Sequence, residues 1–251
     1  MLPYNNHLPV HHLASCFNNT SATYKYYWFL SIIQSAENGN SKISKRELFA
    51  RMIANAWFTV NYFHISFGKQ DKLQSAIELI KEFENLTIDE DRNKILQRLI
   101  DTKNANTLNQ LKYFNNQVPH WFLSPWFPKS DKKEIYIFPQ SFSNQCLYAL
   151  SNTHIEINSN WIDYLSNNAK VLKDFCYWNL SLFLQSKNPN VPDIPNKLVK
   201  PAVRNSLVKQ RTQFWDIVVS ELGGVECIYT GRQLIVGNYA VEHFVPYGFV
   251  S

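Results

Sequence analysis

The segment that most constrains this chain follows Ser44-Lys-Arg-Glu47: LFARMIANAWFTVNYFHISF is apolar nearly all round, interrupted only by single polar residues. Serine with glutamate three residues later is a capping-box pattern, so the run is expected to open as a helix. A helix without a polar face has to be surrounded by other elements, which places it at the centre of a core. The chain has the material for that core, with 251 residues of which 45% are hydrophobic and 15% aromatic. An uninterrupted apolar run of about 18 residues is absent from the sequence, so no membrane-spanning helix is expected. The N-terminal MLPYNNHLPVHHLAS lacks the basic start and continuous apolar stretch of a secretory signal. The expectation is a cytoplasmic protein without membrane contact.

Helical patterning fills most of the first half. Tyr24 to Ala36 follows a Ser/Thr cluster and stops at Asn38-Gly39-Asn40. Lys72 to Asn85 sets Leu73, Ala76, Ile77, Ile80 and Phe83 at helical spacing, and Thr87-Ile-Asp-Glu90 repeats the capping box ahead of Ile95, Leu99 and Ile100. A short helix is expected over Asn106 to Asn115. Pro119 to Pro128 packs three prolines among aromatics and reads as an ordered, buried crossing segment. Lys133 to Phe138, Gln145 to Leu150 and His154 to Ile157 read as short strands. Helices are expected again from Ser159 and from Ala169 to Gln185. Three prolines between Asn188 and Pro195 mark a linker, and Ser206 to Leu222 reads as a last helix, ended by Gly223-Gly224.

Charge is unevenly placed. Between Asn168 and Arg211 lie eight basic residues and two acidic ones, a net +6 in a chain whose total is +5. Such a stretch suits a polyanionic partner. Lys197, Lys200, Arg204, Lys209, Arg211 and, further on, Arg232 are the candidate nucleic-acid contacts. The four cysteines form no Cys-x-x-Cys pair, which argues against a zinc ribbon or a disulfide framework. The pair His11-His12 reads as disordered N-terminal surface rather than as a metal site, His64 reads as a hydrogen-bonded core residue of its apolar helix, and His120 and His154 belong to no metal-ligand motif. The aromatics at Tyr24, Tyr26, Tyr27, Trp28 and Phe29 read as packing rather than as a base-stacking platform.

The remaining signal lies in the last 25 residues, from Cys227-Ile-Tyr-Thr-Gly231 to Glu242-His243-Phe-Val-Pro246. Gln233 to Val236 and Tyr239 to Phe244 are β-prone runs separated by Gly237-Asn238, which reads as a two-residue hairpin turn. The hairpin would carry an acid and a histidine side by side at its far end. Phosphodiester cleavage needs a base to activate water and a cation to stabilise the leaving oxygen. A histidine suits the first task near neutral pH and a carboxylate suits a hard divalent ion. Adjacent strand residues face opposite ways, so the pair serves one site only where the strand ends or bulges, which Pro246 would bring about.

These residues resemble the HNH endonuclease family, in which a Cys-x-x-(Ser/Thr)-Gly-like opening precedes a β-hairpin ending in an acid–histidine pair, apolar residues and proline. The resemblance implies a ββα-metal module, with His243 as general base and Glu242 as ligand to one divalent ion, Mg²⁺ by chemistry. Glutamate stands where aspartate is commoner. The family's helix, with its asparagine and closing histidine, has no counterpart before Ser251, so the chain is expected to end within the motif and to be inactive as it stands. The whole reads as mainly α with a small β element: a helical domain over 1–188, a proline-containing linker over 189–205, and over 206–251 a helix plus the start of a nuclease acting on DNA. A different class of reading takes the chain as a non-catalytic helical module that binds nucleic acid or protein, with the hairpin purely structural.

Overall fold

The computed structural model describes residues 2–199 and 206–241. The chain divides into two compact units, 1–200 and 201–251. The protein is mainly helical with a small antiparallel sheet.

The first unit is built round the apolar run. Helix α1 spans Val10–Ser15, α2 Tyr24–Glu37 and α3 Lys45–Asn61. Thirteen of the seventeen residues of α3 are buried, and the helix packs against α2, α4 (Lys72–Glu84), α5 (Arg92–Asp101) and α6 (Ala105–Tyr113). Two of its buried polar side chains are paired with groups outside the helix. Asn55 and Gln34 exchange amide hydrogen bonds at 2.9 and 3.0 Å, and Trp57 Nε1 donates to the Thr87 carbonyl at 3.1 Å. Without those partners each buried amide would cost about 1–3 kcal/mol. The helix stops at Asn61, earlier than the apolar run suggests, because His64 turns into the left-handed region at φ 51°. His64 is exposed, not a core residue.

Three short strands complete the layer: β1 (Lys42–Ser44), β2 (Tyr148–Leu150) and β3 (His154–Ile157), with β3 in the middle and antiparallel to both neighbours. The segment Lys133 to Phe138, expected as a strand, is instead helical. It forms α7 (Glu134–Ile137) because Asp131 and Glu134 cap each other's backbone N–H groups at 2.8 and 2.9 Å. The proline-rich crossing at 119–128 buries Phe122, Leu123, Trp126 and Phe127, and the Pro119 carbonyl accepts from Tyr148, whose hydroxyl accepts from Trp28. That chain of bonds joins α2, β2 and the crossing.

Helices α8 (Ser159–Asn167) and α9 (Ala169–Lys187) follow, and α9 lies along α2. The stretch expected as a linker is partly core. Asn188 is buried and clamps both backbone groups of Ser66, at 2.9 and 2.8 Å, and α10 (Ile194–Val199) buries Ile194 and Leu198 against the unit. The prolines end α9 without releasing the chain, because the apolar residues between them supply a further turn of helix to cover α3.

In the second unit α11 (Val208–Gln210) runs through a π-helical turn, Arg211–Trp215, into α12 (Asp216–Glu221). Two-residue strands β4 (Val225–Glu226) and β5 (Gln233–Leu234) then pair antiparallel.

Candidate functional site

The hairpin of the second unit is not the one expected. Gln233-Leu234 pairs backwards with Val225-Glu226, and among the described residues Tyr239 to Val241 form no strand. The reason lies in the turn at Gly237. Asn238 N–H donates to the Ile235 carbonyl at 2.8 Å with Gly237 at φ 84°, so the glycine sits third in a four-residue turn rather than first in a two-residue hairpin loop. The hairpin that does form is closed by the motif itself.

Cys227 N–H donates to the Arg232 carbonyl at 2.8 Å, and the Cys227 carbonyl accepts from Gly231 at 2.8 Å and Thr230 at 3.3 Å. Gly231 reaches φ 65°, a left-handed conformation that a side chain would strain by about 1–2 kcal/mol, which explains glycine at this place. The Thr230 hydroxyl, with the backbone N–H groups of Tyr229 and Thr230, holds the Cys227 thiol below its usual range. Chemically this is a small loop that favours a thiolate or presents a ring of donors.

Beyond the turn, Arg211 lies 3.9 Å from Asp216 and donates to the Tyr239 carbonyl at 3.4 Å, fixing the chain just before Glu242 against the helix. Arg211 is therefore half-buried and engaged within the unit, whereas Lys209 and Arg232 are exposed. Lys197 belongs to the first unit and is buried. Its ammonium donates to the Pro192 carbonyl at 2.9 Å and sits 5.8 Å from the centre of the Phe63 ring, so it is not offered to a polyanion. Lys200, Arg204, Glu242 and His243 lie outside the described residues. Among the described residues no group of three His, Cys, Asp or Glu side chains is placed to hold a metal ion. His11 and His12 lie on α1, His154 Nδ1 pairs with Ser151 Oγ at 2.7 Å, and the Tyr24–Phe29 aromatics are buried in the core.

Sequence reasoning missed Lys45, the N-terminal residue of α3, which is buried with no carboxylate paired to it among the described residues. The signal available was a lysine heading an otherwise apolar helix. No family of known proteins, no curated protein and no solved structure matched this chain.

Proposed function

We propose that this protein is a metal-dependent nuclease of the HNH type that hydrolyses DNA phosphodiesters, its second unit holding the opening of a ββα-metal module. The observation that carries this reading is the Cys227–Gly231 turn, a hydrogen-bonded loop closing the β4–β5 hairpin at the position where the family has its Cys-x-x-(Ser/Thr)-Gly opening. In this reading His243 is the general base that takes a proton from the attacking water, and Glu242 is a ligand to the divalent ion. The ion, Mg²⁺ by the hardness of a carboxylate ligand, supplies charge stabilisation at the leaving oxygen. Exposed Lys209 and Arg232 contact the phosphate backbone.

A plasmid-nicking assay tests the proposal. Nicking in Mg²⁺ that stops with EDTA and in Glu242→Gln is the expected result. DNA binding that survives EDTA with no nicking would instead identify a non-catalytic binding module. Arg232→Ala is expected to weaken DNA binding alike for all sequences and to lower the salt slope by about one.

A further inference from the structure

The first unit holds a buried cation behind the wall of a groove. Lys45 is 3% exposed, and its ammonium donates to Asn115 Oδ1 at 2.9 Å and Tyr136 OH at 3.0 Å, with the tyrosine ring centre 4.9 Å away. Both partners line a groove of about 780 Å³, whose rim carries Lys132 and Lys133. Burying an ammonium is costly unless an anion or several acceptors attend it. Here burial and the charge of Lys132 lower the Lys45 pKa to about 8. His120 is also buried beside these two lysines, and its Nδ1 has no hydrogen-bond partner.

Donor and acceptor roles follow from the inventory of groups. An ammonium has three donors and no acceptor, and only two of its donors are used among the described residues. Asn115 must turn its oxygen to Lys45, which frees its NH₂. Tyr136 accepts from Lys45, which frees its own O–H, and burial keeps that phenol protonated by raising its pKa. Both groups that Lys45 orders therefore keep a hydrogen to donate, and at the rim stand Lys133 and Lys132, whose ammonium also donates to Asn116 Oδ1 at 2.8 Å. The carboxylate on the same groove, Asp131, has its Oδ1 engaged by the Glu134 N–H.

We propose that this groove binds a phosphate-bearing anion, with Asn115 and Tyr136 in its wall, held from behind by Lys45, and Lys132 and Lys133 at its rim. Several separate donors and point-charge ammoniums suit a tetrahedral group with three oxygens; a planar carboxylate is better matched by an arginine fork, which the groove lacks. The proposal is independent of the nuclease reading, since it rests wholly on the first unit.

The test is calorimetric titration of residues 1–251 with inorganic pyrophosphate. Wild type is expected to bind at one site. Lys132→Ala, at an exposed position, and Tyr136→Phe, which removes only a hydroxyl from a half-buried ring, are each expected to weaken binding by at least about threefold, as loss of a charge-assisted or neutral hydrogen bond does. Lys45→Met is expected to abolish it, with circular dichroism reporting whether that variant folds; if it does not, the other two decide. A twelve-nucleotide single strand identifies the source of the phosphate. Displacement of pyrophosphate by it points to a phosphodiester and no displacement to a free phosphate compound, and either result supports the site. Absence of binding, or wild-type affinity in both Lys132→Ala and Tyr136→Phe, overturns the proposal.

Discussion

Burial holds three of the four cysteines as neutral thiols. Cys16 and Cys176 lie fully inside the first unit with pKa values raised by desolvation, and Cys146 is pushed up to about 12. Cys227 is the reverse, lowered by the Thr230 hydroxyl. Iodoacetamide at neutral pH is therefore expected to modify Cys227 first, and Thr230→Val to slow that modification, both read by mass spectrometry of timed digests. Equal rates at all four cysteines would contradict the turn geometry. His120 sets a second residue-level expectation. Its pKa is lowered to about 4, by burial first and then by Lys132 and Lys45. The unfolded chain protonates a histidine near 6.5, so this contribution to stability is present above about pH 6.5 and is lost as pH falls toward 4. His120→Gln is expected to flatten that fall, measured as urea midpoints across the same range.

At the scale of elements, what could be read from the sequence and what could not have physical reasons. Helix α3 was legible because a nearly unbroken apolar run can only be central, and α4 because Leu73, Ala76, Ile77 and Ile80 lie on one face. Its end at Asn61 was not, since the stop depends on one left-handed residue, His64, inside a run that stays apolar. The alternating Lys133 to Phe138 pattern fitted a strand, yet the Asp131 and Glu134 caps decide for α7. Strand β1 owes its existence to β3, more than a hundred residues away, which no local pattern can report. In the candidate site the Cys-x-x-Thr-Gly pattern was legible as an opening ahead of a hairpin, but not as the turn that closes β4 on β5, because Gly237 suits a four-residue turn as well as a hairpin loop. Helix α10 shows how prolines mislead: they end one helix but leave Ile194 and Leu198 free to dock. Ile194→Ala and Leu198→Ala are each expected to cost about 2–5 kcal/mol in denaturant unfolding, as buried aliphatic truncations do. Costs below about 0.5 kcal/mol, the range of surface changes, would mean that α10 is not part of the core.

Over the whole molecule, the division into units carries a consequence for folding. A chain of residues 1–200 contains α10 and the Asn188 clamp, and is expected to unfold cooperatively on its own. A chain of residues 1–188 loses two buried aliphatics and is expected to be less stable by about 3–6 kcal/mol, from roughly 1.5–3 kcal/mol for each side chain removed from the core. Comparing their melting transitions checks this. Charge reads differently at this scale than along the sequence. Lys197 is spent on internal contacts of the first unit and Arg211 on those of the second, so part of the charge counted along the sequence is not exposed. The nuclease reading rests on the second unit alone. Its most direct test is the pH dependence of DNA nicking in Mg²⁺, beside His243→Ala. A rate that climbs as a group near pH 6–7 deprotonates, and that falls by about a hundredfold or more in the variant, is the predicted outcome for a histidine base. A rate that His243→Ala leaves unchanged, with the same pH profile, would contradict it.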